Sequence, residues 1–351
     1  MSADNFLSFL LTQNPSEEQS VLPGPRLRTY GNLEAEWEAV TDGAALFDLQ
    51  HSFCCRITGK DRIKFLNNFC TNNISLLQPG SGCEAFAASI KGRILGHFFL
   101  ICETDSLLLF SLSGYAEDLL NHFRKYVLLD DVQFTELNND YALFYVTGFN
   151  ASAKLEELTE TRLARWQSAE INKFEQPLTS IRIDLFDMPG YLLLIPQNDV
   201  VTHWKNLTDN GILAAGSDCF HTLRIESGLP LCGIDVTEKN LVHEAARTQS
   251  AVSFNKGCYL GQEPIARLET LGHTNQEIRS LSWDGAHTFS SGTPLFPTTG
   301  DKSIGHLTSS CPHPEGNRGL GLALLRREYL EPDTSVLLGE EADSRQIAVV
   351  M

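Results

Sequence analysis

The chain has 351 residues, 42% apolar and 20% charged. That is ordinary globular composition and enough for two or three packed domains, which argues against disorder. Asp and Glu outnumber Lys and Arg by 44 to 27, a formal charge of -17. Such a chain repels nucleic-acid phosphates and has no basic amphipathic face for an anionic membrane, so neither is an expected partner.

An anionic ligand would need a local group of arginines or lysines gathered in a pocket. The N-terminus lacks a basic segment followed by a long apolar one, so no signal peptide is expected. The 9 cysteines include no Cys-x-x-Cys pair, which points to buried thiols in a reducing, cytoplasmic setting. The 10 histidines show no metal-ligand spacing, and no metal is expected.

In chain order, residues 1–31 carry Pro15, Pro23, Gly24 and Pro25 and read as an extended lead-in. A helix starts at Asn32, an N-cap, with Glu34 and Glu36 in its first turn and Leu33, Trp37 and Val40 on one face. Cys54–Thr58 reads as a strand, and Gly59 turns it into a helix carrying Ile63, Leu66 and Phe69. Residues 83–89, 94–102 and 107–112 are expected strands, the first two joined by a turn at Lys91-Gly92-Arg93. A helix over 115–128 and a strand over 132–137 follow.

Tyr141–Val146 then repeats the strand-Thr-Gly-helix order, so Ile57-Thr58-Gly59 and Val146-Thr147-Gly148 suggest two copies of a small α+β module. Strands are expected at 181–185 and 191–195, and helices around 203–207 and 219–226. From about residue 275, short apolar runs between glycines and prolines read as a small β barrel.

The densest chemistry lies in 222–273. Lys256-Gly257-Cys258-Tyr259-Leu260-Gly261-Gln262-Glu263 crowds a cation, a thiol, an amide and a carboxylate between two glycines, in what reads as a loop. Flanking it stand Arg224-Ile225-Glu226 with Gly228 and Pro230, Gly233 with Asp235, Val252-Ser253-Phe254, and Ala266-Arg267-Leu268. Upstream are Gly59 with Asp61 and Thr71-Asn72-Asn73; downstream are Gly305–Ser310 and Gly321–Arg326.

This ordered set resembles the YgfZ-type folate-binding proteins of the glycine-cleavage T-protein (aminomethyltransferase) superfamily. The resemblance covers roughly residues 40–350. It implies an α+β cloverleaf of two mixed domains plus a C-terminal β barrel. The first domain would be formed by 1–50 and 140–274, the second by 51–139, and the barrel by 275–351. It also implies a tetrahydrofolate or other reduced-folate site, and a role in iron–sulfur cluster assembly or maintenance and iron–sulfur-dependent tRNA modification. Iron–sulfur proteins or their assembly factors would then be partners. The alternatives are a folate-dependent aminomethyltransferase and a non-catalytic binding scaffold.

Residues expected of an aminomethyltransferase are not matched. The folate-anchoring glutamate is absent around Asp187–Tyr191, although Asp187 is close. Phe220 takes an arginine's place. No acid stands near Ser111–Ser113, where a catalytic aspartate would fall.

Cys258 is the candidate catalytic thiol, with Lys256 or a helix N-terminus to favour the thiolate, against a buried structural cysteine. Glu263 is an acid/base group or a pterin anchor or, more simply, an ion-pair partner of Lys256 or Arg267. Arg224, Glu226, Asp187, Tyr191 and Arg267 are the folate-binding candidates. Salt bridges and packing are the plainer roles for the arginines and Tyr191.

Overall fold

The computed structural model describes residues 3–13, 27–112, 116–340 and 345–351. Three strand assemblies build the α+β fold. A six-stranded sheet holds Ala45–Asp48 beside Tyr141–Thr147, with strands as late as Leu213–Ala215 at its edge. A five-stranded antiparallel sheet is made from residues 53 to 136. Six strands between Gln276 and Val350 close into a barrel. No helix among the described residues is long and apolar enough to cross a membrane.

Local sequence accounts for much of this. Asn32 caps the helix Leu33–Thr41, its side chain accepting from the Ala35 N–H at 3.1 Å. Both copies of the strand-Thr-Gly-helix module form. Gly59 and Gly148 take φ of 99° and 138°, and a Cβ at either would strike a neighbouring carbonyl oxygen.

The lead-in is the clearest departure. Residues 14–26 lie outside the described residues, but Ala3–Gln13 is a helix, and Phe6 and Leu10 are buried in the core behind the six-stranded sheet. Its apolar side chains recur at helical spacing, and the prolines begin only after it. The helix expected over 115–128 ends at Arg124, where tighter i→i−3 bonds from Tyr126 and Val127 close the last turn. The short strands at 45–48, inside the sheet, and 168–171, at its edge, had too few residues to show a period.

The five-stranded sheet and the barrel meet around one shared core. Phe86, Ala88 and Ile94 of the five-stranded sheet pack with Val252, Tyr259 and Ile265, and with Leu320, Leu322 and Leu324 of the barrel. The 252–265 stretch is therefore the wedge between assemblies. Backbone bonds stitch it down: the Ser253 N–H donates to the Thr71 carbonyl at 3.0 Å, and the Leu260 N–H to that of Asn68 at 2.9 Å.

The two glycines of this stretch differ in role. Gly261 has φ of 83°, and a Cβ there would lie 2.4 Å from the Ser89 carbonyl oxygen; Gly257 has nothing within 4 Å. Gly261→Ala is expected to cost about 1–3 kcal/mol in urea unfolding, from left-handed strain and the clash. Gly257→Ala should stay within about 0.5 kcal/mol of wild type. Equal losses would show that the close approach to Ser89 is not what requires glycine.

Candidate functional site

The edge of the six-stranded sheet with its 184–189 loop, the 246–250 segment and the first barrel strand line an open cavity of about 770 Å³, within the range of small-molecule sites. Its wall carries four arginines, Arg165, Arg182, Arg247 and Arg279, against three acids, Asp184, Asp187 and Glu277. In a chain of charge -17 this gathers arginines at one wall, with a small excess over the acids beside them.

Most of these groups are held. The Arg182 Nε donates to Asp184 at 3.1 Å, and Asp184 also accepts from the Gly190 N–H at 3.1 Å. Arg279 donates to Glu277 at 2.8 Å and to the Leu330 carbonyl at 3.2 Å. Arg165 lies exposed over the Trp166 ring, 4.7 Å from its centroid. Asp187 is exposed at the wall and adds to the field that favours the Arg247 cation.

Behind Arg247 lies an ionic cluster. Its Nε and Nη2 donate to the two oxygens of Glu84 at 2.8 and 2.7 Å, and His97 Nε2 sits 2.7 Å from the same carboxylate. Glu84 is 1% exposed. Burial would raise its pKa, but the hydrogen bonds from His97 and Arg247 prevail and hold the carboxyl well below its ordinary range.

Glu84 and His97 were not singled out from sequence, nor was Arg247. The available signal was two polar residues inside apolar strands. In the hairpin register Glu84 faces Phe99 and His97 faces Phe86, which puts the pair diagonally on one face.

Of the expected folate-binding residues, only Asp187 lines this cavity. Arg224 is 1% exposed and spent on Asp235, His221 and Ser309 at 2.8, 2.7 and 2.7 Å. Glu226 accepts from Arg318 at 2.8 Å and lies 3.2 Å from His313. Tyr191 is buried behind the sheet, its hydroxyl 3.0 Å from that of Ser152, so it offers no face to a pterin. Phe220 fills the core between Phe47 and Phe186. The Ser111 hydroxyl is spent on the His97 carbonyl.

The 256–263 segment is not all loop, because a helix begins at Gln262 with Gly261 as its N-cap. Lys256 turns inward and donates from Nζ to the carbonyls of Asn67, Cys70 and Asn72 at 2.6, 2.8 and 2.6 Å, beneath the Tyr259 ring. Burial lowers its pKa. Lys256 is thus unavailable to Glu263, and Glu263 and Arg267 are both exposed with no ion pair between them among the described residues. Cys258 is exposed, while seven of the other eight cysteines are buried; it is not part of the arginine cavity wall.

Comparison with known proteins agrees with this architecture. Residues 23–256 match the GCVT N-terminal domain, which is more than half of the chain. The chain belongs to that family. A chloroplastic protein of Arabidopsis thaliana named as a transferase is 25% identical over 319 residues, 90% of this chain and 73% of that one. The aminomethyltransferase of Thermosipho melanesiensis is 25% identical over 306 residues, covering 86% of this chain and 83% of that one. The crystal structure of the glycine cleavage system aminomethyltransferase T from Bartonella henselae matches with a TM-score of 0.85. That match has 21% identity and covers 98% of this chain and 95% of the other, a shared fold.

The Glu84 cluster sets an acid limit on stability. A carboxylate whose folded pKa is depressed adds stability above its unfolded value near 4.5, and that stability is lost as pH falls through the folded value. Glu84→Gln is expected to cost about 3 kcal/mol at pH 7, by leaving the Arg247 charge without its carboxylate. It should also flatten the loss of stability below about pH 4.5. Chemical denaturation from pH 3 to 7 checks both; parallel curves for wild type and variant would contradict the assignment.

Proposed function

We propose that this protein binds tetrahydrofolate in the arginine-lined cavity and acts as a folate-dependent transferase of the aminomethyltransferase type. The observation that carries the reading is the four arginines and Asp187 around one cavity of suitable size in a strongly acidic chain. Arginines suit the glutamate carboxylates of a folate, and Asp187 offers an acceptor for the amino and ring N–H donors of a pterin. Bound tetrahydrofolate would supply a ring nitrogen able to carry a one-carbon unit. The chain would hold and orient it, with Arg247 kept in place by Glu84 and His97. The relatives named as aminomethyltransferases and the family membership support this reading over a purely accessory role.

The second reading is a YgfZ-type folate-binding protein of the cytoplasm that serves iron–sulfur proteins and iron–sulfur-dependent tRNA modification. The exposed Cys258 favours it: its loop is anchored from beneath by Lys256, yet the thiol faces away from the packed core. A thiol presented in this way suits contact with another protein.

Calorimetry with tetrahydrofolate and with pteroate, which lacks the glutamate, tests the cavity. Wild type is expected to bind tetrahydrofolate, and Asp187→Asn and Arg165→Ala to weaken it by roughly tenfold each. Failure of wild type to bind either compound would sink both readings. Lipoyl-linked aminomethyl transfer then separates them. Turnover that persists in Cys258→Ala supports the transferase. No turnover in wild type, together with a tRNA-modification defect in cells carrying Cys258→Ala, supports the accessory role.

A further inference from the structure

We propose that Trp166 is a positioning residue that sets Arg165 at the wall of the arginine cavity, where Arg165 reads a ligand's carboxylate; the folate reading supplies the identity of that ligand.

Three of the four wall arginines already have an acid of their own. Arg182 meets Asp184, Arg279 meets Glu277 and Arg247 meets Glu84. Arg165 is exposed and has neither an ion pair nor a hydrogen bond among the described residues, Asp187 included. Thr248, Gln249 and Ser250 complete the polar wall without charge. Arg165 is thus the guanidinium that can take up a carboxylate without giving up another one.

An exposed arginine ordinarily extends into water on a flexible stem. Here a tryptophan confines it, because the Arg165 guanidinium lies over the Trp166 ring, 4.7 Å from its centroid.

Trp166 itself has an uncommon backbone. The Gln167 N–H donates to the Ala164 carbonyl at 3.0 Å and closes a turn, in whose third position Trp166 takes φ of 74°. Glycine or asparagine ordinarily occupies a turn position with positive φ, and a bulky side chain there is strained. The indole supplies the reason for the strain. It packs on Gly82 of the strand Ser81–Ala88, where a Cβ would lie 2.7 Å from the ring, and beside Phe99 with 6.4 Å between centroids. Gly82 therefore opens a slot on the five-stranded sheet, and a turn belonging to the six-stranded sheet leaves its preferred conformation to fill it.

The same turn is tied down on its own side. The Trp166 N–H donates to the Arg182 carbonyl at 2.8 Å, and Arg182 Nη1 donates to the Leu163 carbonyl at 3.0 Å. With the backbone fixed and the ring seated, Arg165 has less freedom to lose when a ligand arrives.

NMR titration of the full chain tests this with three probes. Tetrahydrofolate carries ring and tail, p-aminobenzoylglutamate the tail alone, and 6-methyltetrahydropterin the ring without a carboxylate. Trp166→Ala is expected to weaken tetrahydrofolate and the tail probe by roughly tenfold, as Arg165→Ala does, and to leave the ring probe unchanged. The double variant should be no worse than Arg165→Ala, and Trp166→Phe, which keeps an aromatic ring, should stay within about threefold of wild type. Trp166→Gly suits the positive φ and serves as a second variant, with the same loss expected. In the ligand-free protein the Arg165 δ-methylene protons should be shifted upfield by the indole and return to ordinary positions in Trp166→Ala. Arg165-dependent binding of the tail without binding of tetrahydrofolate or the ring would overturn the folate reading and support the positioning. No binding of the tail by wild type, equal loss of ring and tail in Trp166→Ala, additive losses in the double variant, or ordinary Arg165 shifts in wild type would each overturn the proposal.

Discussion

Arg224 and Asp235 form a 2.8 Å ion pair in which neither side chain exceeds 1% exposure, and the placement of the barrel depends on it. Two charges so thoroughly removed from water are tolerable only if every remaining donor and acceptor is satisfied. Arg224 therefore reaches Ser309 on the barrel strand Gly305–Pro312 as well as His221 on its own helix. Asp235 gathers the Leu231 N–H and the Thr308 and Ser309 hydroxyls. Such a pair contributes less net stability than geometry. It admits one arrangement of helix, connecting segment and barrel, and that arrangement brings Glu277 and Arg279 to the loop carrying Asp187.

The same economy recurs at the other junction. Lys256 satisfies three carbonyls around the C-terminal end of the helix Arg62–Phe69, and Arg247 neutralises Glu84 of the neighbouring sheet. Both cations sit where segments distant in sequence meet. They differ in what lies on the other side. Lys256 is enclosed on the protein side, whereas Arg247 keeps 20% of its side chain exposed and lines the cavity. A cation at a junction is thus architectural where it is enclosed, and stays open to a ligand where a cavity reaches it.

The same distinction separates the motif residues from those around the cavity. Arg224, Glu226 and Lys256 stand in the most recognisable motifs, and all three serve packing between assemblies. The groups around the arginine cavity come from 165, 182–187, 247 and 277–279, positions with no shared motif and no fixed spacing. Glu84 and His97 were visible as polar interruptions in apolar strands, but their partnership needs the hairpin register, and Arg247 arrives from 163 residues away.

Periodicity, caps and turn residues are local, so the sequence alone determined the α+β character, the Asn32-capped helix, the repeated strand-Gly-helix module and the β-rich C-terminal part. It also determined that any anionic ligand required a concentrated group of cations, because net charge is additive whatever the fold. Tertiary structure alone decided where that group lies and that Lys256 faces inward while Cys258 faces out. Those outcomes depend on distances between residues far apart in the chain, and sequence separation carries no information about them.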